Sequence, residues 1–63
     1  MYNTLRGFLT PQQIAQELQL NILTVYAYIR HNKLPAIRLG RTYRISRQDF
    51  NNFLNIHKTN KQP

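Results

Sequence analysis

Sixty-three residues with a net charge of +7, no cysteine and 41% hydrophobic content describe one small domain with a thin core, since chains this size bury only about 60% of their unfolded surface. That excludes a large internal substrate cavity, a disulfide or thiolate-metal staple and, as no apolar run approaches the roughly 18 residues of a membrane span, a transmembrane helix. The nine Lys and Arg against two Asp and Glu favour a polyanionic partner, either nucleic acid or an acidic membrane surface.

Along the chain, the first residues show no periodicity and lack the features of a secretory signal. Residues 1–8 are read as a flexible arm, 9–57 as the domain and 58–63 as a disordered polar tail. An intracellular, cytoplasmic location is expected. Thr10-Pro11-Gln12-Gln13 combines a Thr N-cap, Pro at the first helical position and Gln three residues after the cap, which predicts a capping box and a helix from Pro11 to about Leu18. Ile14, Ala15 and Leu18 form its apolar stripe.

Only Gln19 and Leu20 separate that helix from Asn21, a second N-cap, and from the run Ile22 to His31 without Gly or Pro. At 100° per residue, Ile22, Val25, Tyr28 and Ile29 share one narrow sector and are the predicted core face. Leu23, Ala27 and Arg30 fall roughly opposite, flanked by Thr24, Tyr26 and His31. Asn32 tolerates the left-handed conformation at a helix end, and Pro35 blocks continuation.

From Leu34 to Ile45 the period changes to 2, and the β-formers Ile37, Thr42, Tyr43 and Ile45 around Gly40 predict a hairpin. Two registers compete. A two-residue Gly40-Arg41 turn pairs Leu39 with Thr42 and Ile37 with Arg44, dividing the apolar residues between faces. A three-residue loop pairs Leu39 with Tyr43 and Ile37 with Ile45, which gives one apolar face and is preferred. It sets Arg38 directly across from Arg44 with Arg41 at the tip, a like-charge arrangement that suits a bound anion. Ser46 then caps a last helix that carries Asp49 in its first turn and Phe50, Phe53 and Leu54 on its buried face, and that fades near His57.

The charges are clustered. Arg30, Lys33, Arg38, Arg41, Arg44 and Arg47 occupy 18 residues, and no acid lies between Glu17 and Asp49. A solvated face usually mixes signs, so this is the pattern of a nucleic-acid footprint. Enzymatic readings find little support. Glu17 and Asp49 sit on different helices, His31 and His57 lack metal-pair spacing, Ser46 is the one serine, and no Gly-rich phosphate loop exists; neither catalysis, a metal nor a cofactor is expected.

Two helices joined by about three residues and followed by a basic hairpin have the order of a winged helix-turn-helix. The segments Leu9-Thr10-Pro11, Ile14-Ala15-Gln16-Glu17-Leu18, Thr24-Val25-Tyr26, Leu34-Pro35-Ala36-Ile37-Arg38-Leu39-Gly40-Arg41 and Arg44-Ile45-Ser46-Arg47-Gln48-Asp49-Phe50 resemble the excisionase-like small DNA-binding proteins related to the MerR DNA-binding domain. The expected fold is therefore α+β: a helix-turn-helix, a two-stranded β-hairpin wing and a C-terminal helix. The resemblance implies that the second helix lies in the major groove and the wing grips the backbone or minor groove. It places Asn21, Thr24, Tyr26 and Arg30 at recognition positions and Arg38, Arg41 and Arg44 in the wing. Many relatives have Gly where Gln19 and Asn32 stand, and a basic residue near Ala27.

Chemically, Arg30 suits a guanine edge or a phosphate, Asn21 an adenine edge or the helix cap, and Leu23 or Ala27 a thymine methyl. Tyr26 suits a phosphate or a stack with Arg30. His31 and Lys33 extend the basic end of the helix, and Arg47 lies at a helix start where a phosphate or solvent suits it. The expected function is sequence-selective binding of double-stranded DNA, as a recombination directionality factor or small transcriptional regulator of bacterial or phage origin, nucleoid-associated when bound. Nothing after Leu54 reads as a dimerisation helix or effector domain, so an integrase or recombinase partner, or further copies bound cooperatively, is expected rather than a small-molecule effector or a membrane. The alternative is a protein-interaction adaptor that uses Leu23, Tyr26 and Ala27.

Overall fold

The computed structural model describes residues 7–59. Three helices and three short strands follow in the order β1 (Phe8–Leu9), α1 (Pro11–Leu18), α2 (Ile22–Arg30), β2 (Ile37–Leu39), β3 (Thr42–Ser46) and α3 (Arg47–Ile56). This is the expected α+β winged architecture, with one addition. The sheet is three-stranded and antiparallel in the order β1-β3-β2, because Phe8 pairs with Ser46 and Leu9 with Ile45. Phe8, read as part of the arm, thus belongs to a strand, and residues 1–6 lie outside the described part. Two residues are too few to show a period of 2, which is why β1 leaves no signature.

Each helix starts where its cap dictates. The Thr10 hydroxyl accepts from the Gln13 amide at 3.0 Å while the Gln13 side chain accepts from the Thr10 amide at 2.9 Å, so two backbone donors that would otherwise lack partners are satisfied reciprocally. Asn21 Oδ1 accepts from the Leu23 amide at 2.8 Å, and Ser46 Oγ from the Asp49 amide at 2.9 Å.

The ends of α1 and α2 repeat one design. At Gln19, φ is 57°, and the amides of Gln19 and Leu20 donate to the carbonyls of Gln16 and Ala15. At Asn32, φ is 59°, and the amides of Asn32 and Lys33 donate to those of Ile29 and Tyr28. Both are Schellman closures with a non-glycine residue in the left-handed position. The first turns the chain from α1 into α2 within three residues. The second drops Leu34 into the core.

The core comprises Ile14, Ala15, Val25, Leu34, Ile45, Phe50 and Phe53, with Leu9, Leu18, Ile22, Tyr28, Ile29 and Ala36 partly buried against it. The predicted core faces of α1 and α2 are therefore the observed ones. Leu54 departs from expectation: it is 37% exposed and lines an open groove between α1 and α3 with Leu9, Ile14 and Phe50. A deeper contributor was not among the predicted core residues. Leu34, read as the start of the period-2 segment, lies outside helix and strand, yet it is one of the four largest fully buried side chains.

Candidate nucleic-acid interface

The hairpin corrects the preferred register. Ile37 pairs with Arg44, Arg38 with Tyr43 and Leu39 with Thr42, so the turn has two residues, Gly40 and Arg41. Gly40 carries φ 66° and Arg41 has no positive φ, the combination of a type II′ turn with glycine at its first central position. The apolar residues are accordingly divided. Ile45 is fully buried, whereas Ile37 and Leu39 are 47% and 58% exposed. The one-face argument fails because the hairpin projects beyond the core. Only its root has apolar surface to cover, so burial cannot impose a register on its outer part.

Arg38 and Arg44 consequently do not oppose each other; alternation puts them on opposite faces of the ribbon. The Arg38 guanidinium lies 5.9 Å from the centre of the Tyr43 ring, and its Nε donates to the Gly40 carbonyl at 3.0 Å. Arg44 is half-buried, and its Nη1 donates to the Tyr43 carbonyl at 2.8 Å. Arg41 is exposed at the turn. Cations therefore line both faces and the tip, rather than forming one cross-strand pair.

On α2, Leu23 and Arg30 are exposed, Thr24, Tyr26 and Ala27 are half-buried, and His31 and Lys33 are exposed just beyond the helix. Leu23, at 68% exposure, is the most open large aliphatic of the helix. Asn21 is exposed too, but its carboxamide oxygen is held by the Leu23 amide. The two-point pairing with adenine, which requires both oxygen and nitrogen of the amide, would have to share that oxygen with the cap. Tyr26 neither stacks on Arg30 nor points away from the protein alone; its ring meets Tyr43 on β3 at 6.1 Å, tilted by 52°. The sequence reading set Tyr43 opposite Leu39 on an apolar hairpin face; it pairs with Arg38 instead, and its contact with Tyr26 depends on that register, which burial did not set.

Arg47 stands apart from this group: it lines the α1–α3 groove with Glu17 and Asn51. Elsewhere on α2, the Tyr28 ring meets Phe53 at 5.2 Å, tilted by 54°, and Phe53 meets His57 at 4.3 Å, tilted by 41°. His57 Nδ1 lies 2.9 Å from the Phe53 carbonyl, to which it can only donate. This histidine closes α3.

A short helix with an exposed side is thus set beside a cationic hairpin. Residues 8–57 match the family described as the helix-turn-helix domain. The chain belongs to that family. Membership supports DNA binding and suggests DNA as the partner; families of this kind are typically non-enzymatic. No curated protein and no solved structure gives a significant match. No helix among the described residues is long and apolar enough to cross a membrane.

Proposed function

We propose that this helix-turn-helix domain binds double-stranded DNA sequence-selectively, with α2 in the major groove and the β2–β3 wing on the adjacent backbone or minor groove. The observation that supports this reading is the adjacency of α2 and the wing through Tyr26 and Tyr43 in a chain stretch without acids from residue 18 to residue 48. Leu23, Thr24, Ala27 and Arg30 would face base edges, with Asn21 and Tyr26 at the margins of that surface. Lys33, His31, Arg38, Arg41 and Arg44 would meet phosphates, which position the domain without reading sequence. Arg47 contributes through the long-range field.

The role is that of an excisionase-like recombination directionality factor or a small transcriptional regulator, in line with the resemblance to MerR-related excisionase-like proteins. A recognition helix of nine residues reads few bases, so selectivity in the cell comes from acting beside a recombinase or further copies on neighbouring sites. Selection of bound duplexes from a random pool, followed by footprinting, tests the reading. Enrichment of one short motif, protected in a major groove and on flanking backbone, is the expected result. Recovery of unenriched sequence after repeated rounds contradicts selectivity.

A further inference from the structure

We propose that Tyr43 is a positioning residue: it fixes the wing to α2, so that helix and wing meet DNA as one rigid unit. This rests on the reading of α2 and the wing as the DNA surface. The outer hairpin has little else to hold it. Residues 37–42 are all exposed, β2 has β3 as its only neighbour in the sheet, and Ile45 at the root is the hairpin's one fully buried side chain. A two-stranded ribbon of this length is marginally stable alone and flexes about its base.

Tyr43 interrupts that freedom. Its ring meets Tyr26 of α2 at 6.1 Å between centres, tilted by 52°. The Arg38 guanidinium lies 5.9 Å from the ring centre and also bonds the Gly40 carbonyl in the turn. A continuous series of contacts therefore runs from the middle of α2 to the tip of the wing: Tyr26, Tyr43, Arg38, Gly40. Among the described residues it contains the only ring contact between α2 and the hairpin. Both contacts are made by the Tyr43 ring, so phenylalanine preserves them and an aliphatic residue does not.

Hydroxyl-radical footprinting of a selected duplex with the whole chain tests this, comparing wild type, Tyr43→Phe, Tyr43→Val and Tyr43→Leu. Wild type and Tyr43→Phe are expected to protect both the α2 groove and the wing segment. Tyr43→Val and Tyr43→Leu should keep the α2 protection, lose or smear the wing protection, and bind roughly tenfold more weakly, because the wing must be ordered on binding. Circular dichroism melts establish that each variant is folded; should Tyr43→Val unfold, Tyr43→Leu carries the test. Sharp wing protection at wild-type strength in a folded variant without the ring contact overturns the proposal. A wild-type chain that protects no duplex overturns instead the DNA reading on which it rests.

Discussion

Ile37 on β2 stands directly across the ladder from Arg44 on β3, so an aliphatic side chain and a guanidinium stem share one face of the hairpin while Ile45 alone enters the core. The consequence is an uneven sensitivity to mutation. Ile45→Val removes a methylene from a fully buried site and should cost about 1 kcal/mol. Ile37→Val and Leu39→Thr, at half-exposed positions, should stay within about 0.5 kcal/mol of wild type. Urea denaturation of the three variants checks this. Equal losses at Ile37 and Ile45 would indicate the alternative pairing of those two residues.

The left-handed residues at the two Schellman closures make a second prediction. Gln19 holds φ 57° and Asn32 φ 59°, a region that costs a side chain with a Cβ roughly 1 kcal/mol. Gln19→Gly should raise the denaturation midpoint by the equivalent of about 0.5 to 1 kcal/mol. Asn32→Gly should gain less, since asparagine tolerates this conformation. Because Gln19 lies outside the proposed DNA surface, its variant should bind DNA as wild type does.

Asn21 separates a structural from a recognition role. Asn21→Ser keeps a capping oxygen and should preserve both stability and sequence preference, whereas Asn21→Ala should lose about 1 kcal/mol of stability. A stable Asn21→Ser variant that no longer discriminates among duplexes in a selection experiment would show that the amide reads a base.

Much of this geometry was legible in the residues because helix boundaries are set locally. Thr10, Pro11 and Gln13, then Asn21, then Ser46 and Asp49 each specify a start by chemistry within four positions. The hairpin was legible for the same reason, through Gly40. Its register was not, since pairing follows from how far the ribbon projects past the core, a property of the assembled fold. The Tyr26–Tyr43 contact was hidden behind that register. At the interface, the cationic segment was visible as a run of arginines, while the division of Arg38 and Arg44 between faces required the pairing.

Arg30 and Arg41 should differ in kind. Arg41→Ala, at the wing turn, is expected to weaken binding to all duplexes alike and to reduce the salt slope by about 1. Arg30→Ala, on the exposed side of α2, is expected to lose discrimination as well, by about 1 to 3 kcal/mol at one base pair. Competition binding against single-substituted sites checks both, and uniform losses in Arg30→Ala would reassign that side chain to the backbone.

The proposed function requires the cationic wing and the basic end of α2 to grip the phosphates of a duplex. Its most direct test is the affinity for a labelled selected duplex across about 50 to 200 mM salt. Contact with about five phosphates predicts that log K falls against log salt with a slope of roughly −4 to −5, and that replacing Arg38, Arg41 and Arg44 together by alanine flattens it by about 3. A nearly flat dependence in the wild-type chain would contradict the account.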